Sequence, residues 1–503
     1  MSVFQSSGLR LVLPTLIALG GLRLVFWMTT FPNPDEAYYW LWGQHPALSY
    51  YDHPPFQAWA QGLVTALLGQ SLLTLRLSNL VSNGLIILTY YRISHYLYGE
   101  RGTDFFWVTI AILFTSPLYF LFLALAWHDH WLITFSLIAA FQFIQFLDGY
   151  QQDGRGQSGR LYGAAIALGC ALLCKYNAVF VGAGLLVAIA THPTGRKLFR
   201  DPRLYGAMAL TLMMLLPIVV WNASNDWQSW QYYRDRSVDQ TLRLKWGDTL
   251  TFLGVSLLTV SPIYLGLMGR QWWQVWRSPT HPWRDGQTVY HHVAFWCFTV
   301  STGVLLIVAL LSTALYYWNI LAYLLLIPLL PPLLLRLPNY QHIRPRFAIA
   351  QGYGILFAAL LVVHYSIFPL SALVGAEGDP DSRMLYGWEQ VGAAVQAEKQ
   401  GLNQPFLVTT DYRSASALAY QLGDADVLAI SDRIDQFDFW LDPQSLQGRD
   451  AVILADDWHP LQPALSQQFQ QVSAPQSVTV RRWGIFIKTY YLVRGYTFQF
   501  RSP

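Results

Sequence analysis

The sequence has few charged residues and few cysteines. Lys, Arg, Asp and Glu together make up 12% of its 503 residues, about half the share found in an ordinary soluble domain. The three cysteines, Cys170, Cys174 and Cys297, all lie in apolar stretches, so neither a disulfide framework nor a zinc motif is predicted. No concentrated basic patch accompanies the net charge of +3, which disfavours a nucleic-acid partner. The low content of charged residues indicates that much of the chain lies in an apolar environment.

Long apolar runs are abundant instead, and several reach the roughly 20 residues that a helix needs to cross a bilayer. We predict a polytopic α-helical membrane protein of about eleven spans, centred near residues 18, 81, 115, 139, 169, 184, 212, 259, 302, 325 and 357. The first run has no small-residue cleavage site, so we expect it to be retained as a helix.

The basic residues of the loops predict the orientation. Lys and Arg cluster in alternate loops, whereas the loop from Thr29 to Gln70 contains none. Because cytoplasmic loops carry the excess of positive charge, we expect a cytoplasmic N-terminus in the cytoplasmic (inner) membrane and an outward-facing first loop. An odd number of spans places the C-terminus outside as well.

The composition changes near residue 371, where charged and amide residues become common. We predict a transmembrane catalytic domain over residues 1–370 and a small extracytoplasmic α/β domain over residues 371–503. The segments "PFLVTT", "DVLAIS" and "DAVILAD" are typical of short buried strands. Residues 384–399 and 414–421 have helical periodicity, and "VTVRRWGIFIKTYYLVRGYTF" predicts a β-hairpin.

The first outward loop contains the stretch "NPDEAYYWLWGQHPALSYYDHPPF". Pro34 followed by Asp35 and Glu36 is typical of a helix start, and the aromatic residues after them suit a helix lying in the membrane interface. An acidic pair at a membrane surface can also supply a general base. Further on, two prolines hold His53 on an extended segment beside Asp52, either as a positioned imidazole or as part of a plain turn.

Three further clusters lie at predicted outward span ends. "LAWHDHW" is predicted to be a short turn in which His128 and Asp129 form a polar wall; metal binding is the weaker alternative, because this spacing is poor for zinc. Lys175 in "CKYNA" either extends to the interface or holds an anion. "TALYYWNILAY" carries Tyr316 and Tyr317, which line a donor cavity or form an aromatic belt.

The loop "WNASNDWQSWQYYRDRSVDQTLRLKW" contains Arg234 and Arg236. These outward positive charges go against the orientation rule, and guanidinium groups suit a phosphate; a solvated loop is the alternative. Outward carboxylates, a histidine and cations together favour sugar transfer from a lipid phosphate. In that reaction a carboxylate removes the proton of the acceptor hydroxyl, and the leaving phosphate needs cations more than an acid.

The order of these motifs resembles the dolichyl-phosphate-mannose–protein mannosyltransferase family over nearly the whole chain. More narrowly, it resembles a bacterial branch related to lipid A aminoarabinose transferases, to which "DYRSASALAYQL" and "RIDQFDFW" of the tail are also similar. The resemblance implies the GT-C membrane fold and an inverting, hexosyl- or mannosyltransferase-like enzyme that uses a polyprenyl-phosphate sugar donor. The expected partners are this donor, a glycan, lipid or protein acceptor, and membrane lipids. No metal ligand is assigned, and a divalent cation stays open as a cofactor.

The resemblance also implies roles for individual residues. Asp35 matches the catalytic base, with Glu36 as its neighbour. His53 stands before the proline pair where relatives can have lysine, and it is expected to contact the donor phosphate or the leaving oxygen. Asp129 matches the acidic residue of the second outward loop, which helps to shape the site, and Arg234 or Arg236 would hold the phosphate. From the residues themselves, Lys175 is a further cation expected at the phosphate, and Asp52, His128, Tyr316 and Tyr317 are expected to shape the site.

Two other classes of function compete with this prediction. Charge pairs near mid-span and inverted repeats would favour a transporter or flippase of lipid-linked sugars, but the polar residues gather at span ends and no repeat is apparent. A non-catalytic subunit of a glycan assembly complex would not need the acidic pair, which is present. The sequence predicts neither the sugar nor the acceptor.

Overall fold

The computed structural model describes residues 6–237, 243–277, 283–336, 342–373, 375 and 379–500. It divides into two compact units. One, here called the helical unit, comprises residues 1–23, 53–56 and 79–359; the other, the tail unit, comprises residues 24–52, 57–78 and 360–503. The tail unit thus combines parts of the first loop with the C-terminal segment. The predicted domain boundary at residue 370 stays a prediction.

Helices make up most of the described residues. The first group is α1 (Ser7–Thr29), α2 (Pro34–Gln44), α3 (Phe56–Leu68), α4 (Leu72–Leu75), α5 (Leu77–Tyr98), α6 (Gly102–Thr115), α7 (Pro117–Phe122), α8 (His128–Asp153), α9 (Ser158–Cys174), α10 (Val179–Thr191), α11 (Pro193–Arg196) and α12 (Pro202–Met213). The second group is α13 (Leu216–Ser224), α14 (Gln228–Ser237), α15 (Trp246–Val260), α16 (Pro262–Arg277), α17 (Gly286–Leu311), α18 (Pro331–Leu334), α19 (Pro345–Val362), α20 (Pro380–Arg383), α21 (Trp388–Glu398), α22 (Tyr412–Leu422) and α23 (Pro463–Ser466).

Four of these helices are long and apolar enough to cross a membrane: α1, α8, α17 and α19 with the turn that follows it. Three bent pairs of helices pass the same test together, so the described residues contain between four and seven candidate spans. The number eleven stays a prediction. One bend lies within the span predicted near residue 259, where α15 and α16 meet at 106°. Ser261 between them has φ of 95° and precedes Pro262, which keeps it out of the helix.

The span predicted near residue 325 is not a continuous helix, so this part of the prediction is wrong. Tyr316–Asn319 and Ile327–Leu329 form 3₁₀ turns, and the buried chain between them is a series of turns. Backbone carbonyls outside a helix need other donors in an apolar surrounding. Four tyrosine hydroxyls donate to carbonyls of this segment, namely Tyr90 to Leu324, Tyr98 to Pro328, Tyr119 to Ile320 and Tyr290 to Leu325.

Tyr290→Phe is therefore expected to lower the free energy of unfolding by about 1–3 kcal/mol, because it leaves a buried carbonyl without its donor. Thermal unfolding in detergent measures the change. Tyr162→Phe is the matched control, because the hydroxyl of Tyr162 has no hydrogen-bond partner among the described residues. Equal unfolding temperatures for both variants would contradict a stabilising role for the hydrogen bond from Tyr290 to the Leu325 carbonyl.

The C-terminal sheet lies in the tail unit. Its strands are β3 (Phe406–Thr409), β4 (Leu428–Ala429), β5 (Ala451–Asp456), β6 (Phe469–Val472), β7 (Gln476–Arg482) and β8 (Ile485–Phe498). A separate pair of two-residue strands, β1 (Leu335–Arg336) and β2 (His342–Ile343), belongs to the helical unit. The order is β4-β3-β5-β8-β6, with β7 also paired to β8. β3 runs parallel to β4 and β5, and β8 runs antiparallel to β5, β6 and β7. The predicted strands and hairpin are confirmed, and they form a small C-terminal sheet domain.

Candidate active site

The first turn of α2 is fixed by its own sequence. Asn33 accepts a hydrogen bond from the backbone N–H of Asp35 at 3.2 Å, and the Glu36 carboxylate accepts one from the backbone N–H of Asn33 at 2.9 Å. Pro34 occupies the first helical position, where its missing N–H costs nothing. The predicted helix start is confirmed. It holds Asp35 and Glu36 in defined and different directions.

Glu36 turns inward to a buried arginine. Arg76 donates to it from Nε at 3.0 Å and from Nη2 at 2.7 Å, and both side chains are fully buried. The Nη1 group of Arg76 also donates to three carbonyls at the end of α1, those of Phe26, Trp27 and Thr30. Both Glu36 oxygens are therefore engaged. The pair fixes the start of α2 against the end of α1, and a catalytic role for Glu36 stays a prediction.

Asp35, its neighbour, keeps its carboxylate available. The side chain is half-buried, and among the described residues no donor lies within hydrogen-bonding distance of its oxygens. Burial, followed by the nearby carboxylates Asp381 and Asp52, raises the pKa of Asp35 to about 7, against the opposing influence of Arg413 and Arg433. A carboxyl group with this pKa can accept a proton near neutral pH.

The surroundings of Asp35 come largely from the C-terminal segment. Arg413, in the first turn of α22, donates to Asp411 at 3.1 Å and to Asp381 at 2.7 Å. The guanidinium of Arg433 lies 4.7 Å from the ring centre of Tyr412. Arg413 and Arg433 belong to "DYRSASALAYQL" and "RIDQFDFW", to which the sequence alone assigned no chemistry. They supply the positive charges near Asp35.

Asp52 links the first loop to the same segment. One of its oxygens accepts from the Tyr38 hydroxyl at 2.7 Å and the other from Arg433 at 3.1 Å. The backbone N–H of Gln436 donates to the Tyr38 hydroxyl at 2.9 Å, while the side chain of Gln436 accepts from the backbone N–H of Tyr51 at 2.8 Å. The expected site-shaping position of Asp52 thus rests on contacts within the tail unit.

The helical unit contains a second polar cluster. Lys175, directly after α9, donates to both oxygens of Asp129, at 3.0 and 3.2 Å, and both side chains are buried. The Lys175 ammonium also lies 5.0 Å from the ring centre of Tyr317. Lys175 therefore has a carboxylate partner, and the structure does not present it as a spare cation for phosphate.

The predicted turn at "LAWHDHW" is confirmed only for Leu125–Trp127, which lie in the connection between α7 and α8. His128, Asp129 and His130 do not lie in this turn; they form the first turn of α8 and are buried. An acid in a helix's first turn is favoured by the helix dipole, and Lys175 compensates the buried charge of Asp129. Among the described residues, no three His, Cys, Asp or Glu side chains are grouped as metal ligands.

His53 lies beside these residues in the helical unit. Its ring is 4.5 Å from that of His128, and a hydrogen bond of 3.1 Å joins its Nδ1 to the hydroxyl of Tyr233. Tyr233 is part of α14, which also carries Arg234, an exposed residue. The side chain of Arg236 lies outside the described residues.

Tyr316 and Tyr317 form the 3₁₀ turn at the beginning of the irregular segment. The ring of Tyr317 stacks on Phe122 at 4.8 Å, and Tyr316 packs edge-on against Tyr317 at 5.4 Å. Both are half-buried. Tyr317 therefore lies beside the Lys175–Asp129 pair, and Tyr316 beside Tyr317.

Three arginines were missed from the sequence. Arg76 had a usable signal, because an arginine within the apolar run "LTLRLSNLV" needs a buried partner. Arg413 and Arg433 had none, since both act on the first loop from far along the chain: both charges influence Asp35, and Arg433 donates to Asp52 across 381 residues of sequence.

Comparisons with known proteins agree with this fold. Residues 52–221 match the family described as dolichyl-phosphate-mannose-protein mannosyltransferase. The lipid A galacturonosyltransferase RgtD of Rhizobium johnstonii is 26% identical over 407 residues, which cover 78% of each chain.

Two crystal structures of ArnT from Cupriavidus metallidurans have a similar fold. The structure bound to undecaprenyl phosphate has a TM-score of 0.60 at 16% identity, covering 95% of this chain and 97% of ArnT. The apo structure has a TM-score of 0.59 at 15% identity, covering 96% and 98%. With its several apolar helices, the chain is an integral membrane protein. The resemblance drawn from the sequence is confirmed: the chain has an ArnT-like GT-C fold and is similar in sequence to the dolichyl-phosphate-mannose-protein mannosyltransferases and to a lipid A galacturonosyltransferase.

Proposed function

We propose that the protein is an inverting glycosyltransferase that moves a sugar from a polyprenyl-phosphate donor to an acceptor hydroxyl at the outer face of the cytoplasmic membrane. The observation that carries this proposal is the Asp35 carboxylate, whose pKa is raised to about 7 by burial and neighbouring carboxylates and which no donor among the described residues engages. A general base needs both properties.

The reaction follows from this base. The acceptor oxygen attacks the anomeric carbon of the donor sugar while its proton passes to Asp35. The bond between the anomeric carbon and the phosphate oxygen breaks, and its electron pair stays on that oxygen, so polyprenyl phosphate leaves as an anion. Attack on the face opposite the phosphate inverts the anomeric centre.

For the donor phosphate we keep the residues that the resemblance implies, His53, Arg234 and Arg236. Lys175 is assigned instead to holding the start of α8 through Asp129, because this contact already neutralises its charge. No metal ion is assigned a role.

The substrates are proposed from the relatives. ArnT binds undecaprenyl phosphate in its crystal structure, which supports a polyprenyl-phosphate donor. The name of RgtD supports a lipid A-type acceptor and a uronic acid as one candidate sugar. We accordingly place a galacturonosyl donor first in any assay, ahead of a mannosyl donor.

The test uses purified full-length protein in detergent. Radiolabelled polyprenyl-phosphate sugars, including galacturonosyl, mannosyl and aminoarabinosyl donors, are incubated with an envelope lipid extract. Transfer of label from one donor supports the proposal and identifies the sugar. Failure of every donor, with folded protein and a positive control enzyme, contradicts it and favours a transporter or a non-catalytic subunit.

Two charge variants are expected to move the pH profile of transfer in opposite directions. Asp381→Asn removes the nearby carboxylate with the strongest effect on Asp35, so the pKa of Asp35 falls and activity extends to lower pH. Arg433→Gln removes a positive charge that lowers this pKa, so the acidic limb moves to higher pH. Each shift is expected to be roughly half a unit to one unit.

The pH dependence of kcat/KM measures both shifts. Arg449→Gln is the control, because Arg449 contacts Phe406 and the carbonyl of Gln404 and does not figure among the charges acting on Asp35. Shifts of the same sign in Asp381→Asn and Arg433→Gln would show that another group governs the acidic limb.

Arg234→Gln combined with Arg236→Gln is expected to weaken donor binding by at least about tenfold, because each guanidinium can form charge-assisted hydrogen bonds with a phosphate. Titration with the polyprenyl-phosphate sugar measures the dissociation constant. Arg243→Gln, further along the same loop, serves as the control. Unchanged donor affinity in the double variant would remove the phosphate assignment.

A further inference from the structure

The tip of the β7–β8 hairpin forms a second candidate binding surface, which the proposed reaction does not use. Arg481 and Arg482 end β7, Trp483 follows, and all three are exposed. Trp483 has φ of 52° at a turn position that usually takes Gly, Asn or Asp. The turn itself therefore does not explain a tryptophan here.

This tip lies at the level where two candidate membrane spans end. The ring of Trp483 stacks on Phe368 at 5.4 Å, and Phe368 directly follows the candidate span formed by α19 and its last turn. Hydroxyl groups of Thr30 and Ser366 are hydrogen-bonded to each other, so the end of α1 lies at the same level. A tryptophan at that level suits the membrane–water interface.

A cavity of about 600 Å³ opens beside the tip within the tail unit. Arg481, Arg482, Tyr386 and Ser366 line it, and Glu389 is the acidic residue among its lining residues. The guanidinium of Arg482 lies 5.3 Å from the ring centre of Tyr386. Two positive charges thus face one negative charge.

Neither arginine is neutralised by an ion pair within the described part of the chain. Arg481 donates to the carbonyl of Gly484 at 3.3 Å, which leaves its charge uncompensated. Guanidinium groups bind phosphate oxygens through several N–H donors, and basic residues near a membrane surface attract anionic lipids.

We propose that the hairpin tip and this cavity bind the phosphate of an anionic phospholipid headgroup. Arg481 and Arg482 contact the phosphate, and Trp483 rests in the interface beside it. Bound lipid thereby attaches the C-terminal segment to the membrane surface. This inference is independent of the proposed transfer reaction.

The test measures lipid binding to purified full-length protein in neutral detergent, with thermal unfolding as the readout. Phosphatidylglycerol, phosphatidylcholine and inorganic phosphate are titrated separately into wild type, the double variant Arg481→Gln/Arg482→Gln, and Arg449→Gln as a control. We expect phosphatidylglycerol to raise the unfolding temperature of wild type and of the control more than phosphatidylcholine does. The double variant is expected to bind phosphatidylglycerol roughly ten- to thirtyfold more weakly than wild type.

The substituted arginines are exposed, so the lipid-free unfolding temperature of the double variant should match that of wild type and serves as the folding control. An unchanged affinity for phosphatidylglycerol in the double variant would overturn the proposal. A full temperature rise with inorganic phosphate alone would also overturn it, because the site would then bind free phosphate and not a lipid headgroup.

Discussion

Asp35→Asn is expected to lower the rate of sugar transfer by about 10²–10⁴-fold, the usual contribution of a general base. Asn has nearly the same shape as Asp, but it cannot take the proton of the acceptor hydroxyl. Donor affinity should change little, because no phosphate contact is assigned to Asp35. Initial rates and donor titrations measure the two effects separately. Asp426→Asn, which alters an exposed carboxylate of the same unit, should transfer at the wild-type rate.

The same substitution should stabilise the protein. The pKa of Asp35 is raised mainly by burial from an ordinary 3.8 to about 7, so the folded state holds a proton that the unfolded chain releases. Wild type therefore loses stability as the pH rises from about 4 to about 7, and the loss is complete above that window. Asn does not ionise and avoids the loss.

Thermal unfolding in detergent at pH 8 and pH 5 tests this sign. At pH 8 the Asp35→Asn variant is expected to unfold a few degrees above wild type, and the difference should shrink at pH 5. A variant less stable than wild type at pH 8 would mean that the carboxylate is held by contacts and is not a strained, available base.

Arg76→Met is expected to have the largest effect on stability, about 3–5 kcal/mol, because it leaves the buried Glu36 carboxylate without its partner. It also removes the donor to three carbonyls at the end of α1. The first turn of α2, and Asp35 with it, should then lose its fixed position. Thermal unfolding and transfer activity should therefore fall together.

The double variant Glu36→Met/Arg76→Met separates charge from packing. Replacing both members of a buried pair with apolar residues is often neutral, so the double variant should recover part of the stability that Arg76→Met loses. If Arg76→Met unfolds at the wild-type temperature, the ion pair does not fix α2.

Local chemistry made much of the fold predictable. The start of α2 follows from Asn33, Pro34 and the acids after them, and the hairpin and strands follow from alternation between turn residues. The irregular segment near residue 325 could not be predicted in this way. Its hydropathy is that of a span, but its carbonyls are satisfied by tyrosines from other parts of the chain, such as Tyr90 and Tyr290.

The site was predictable only in part for the same reason. Asp35 and His53 stand in short motifs that mark them directly. The ion pair of Glu36 depends on Arg76, forty residues away in sequence. The positive charges near Asp35 come from Arg413 and Arg433 in the C-terminal segment. Pairing of this kind has no local sequence signal.

The pH dependence of single-turnover transfer tests the central claim, that Asp35 is the base of a glycosyl transfer, most directly. With donor saturating and the acceptor bound, the rate should rise about tenfold per pH unit below an apparent pKa near 7 and level off above it. This limb should be absent in Asp35→Asn. A rate that is independent of pH between 5.5 and 8, or a limb that persists unchanged in Asp35→Asn, would contradict the account.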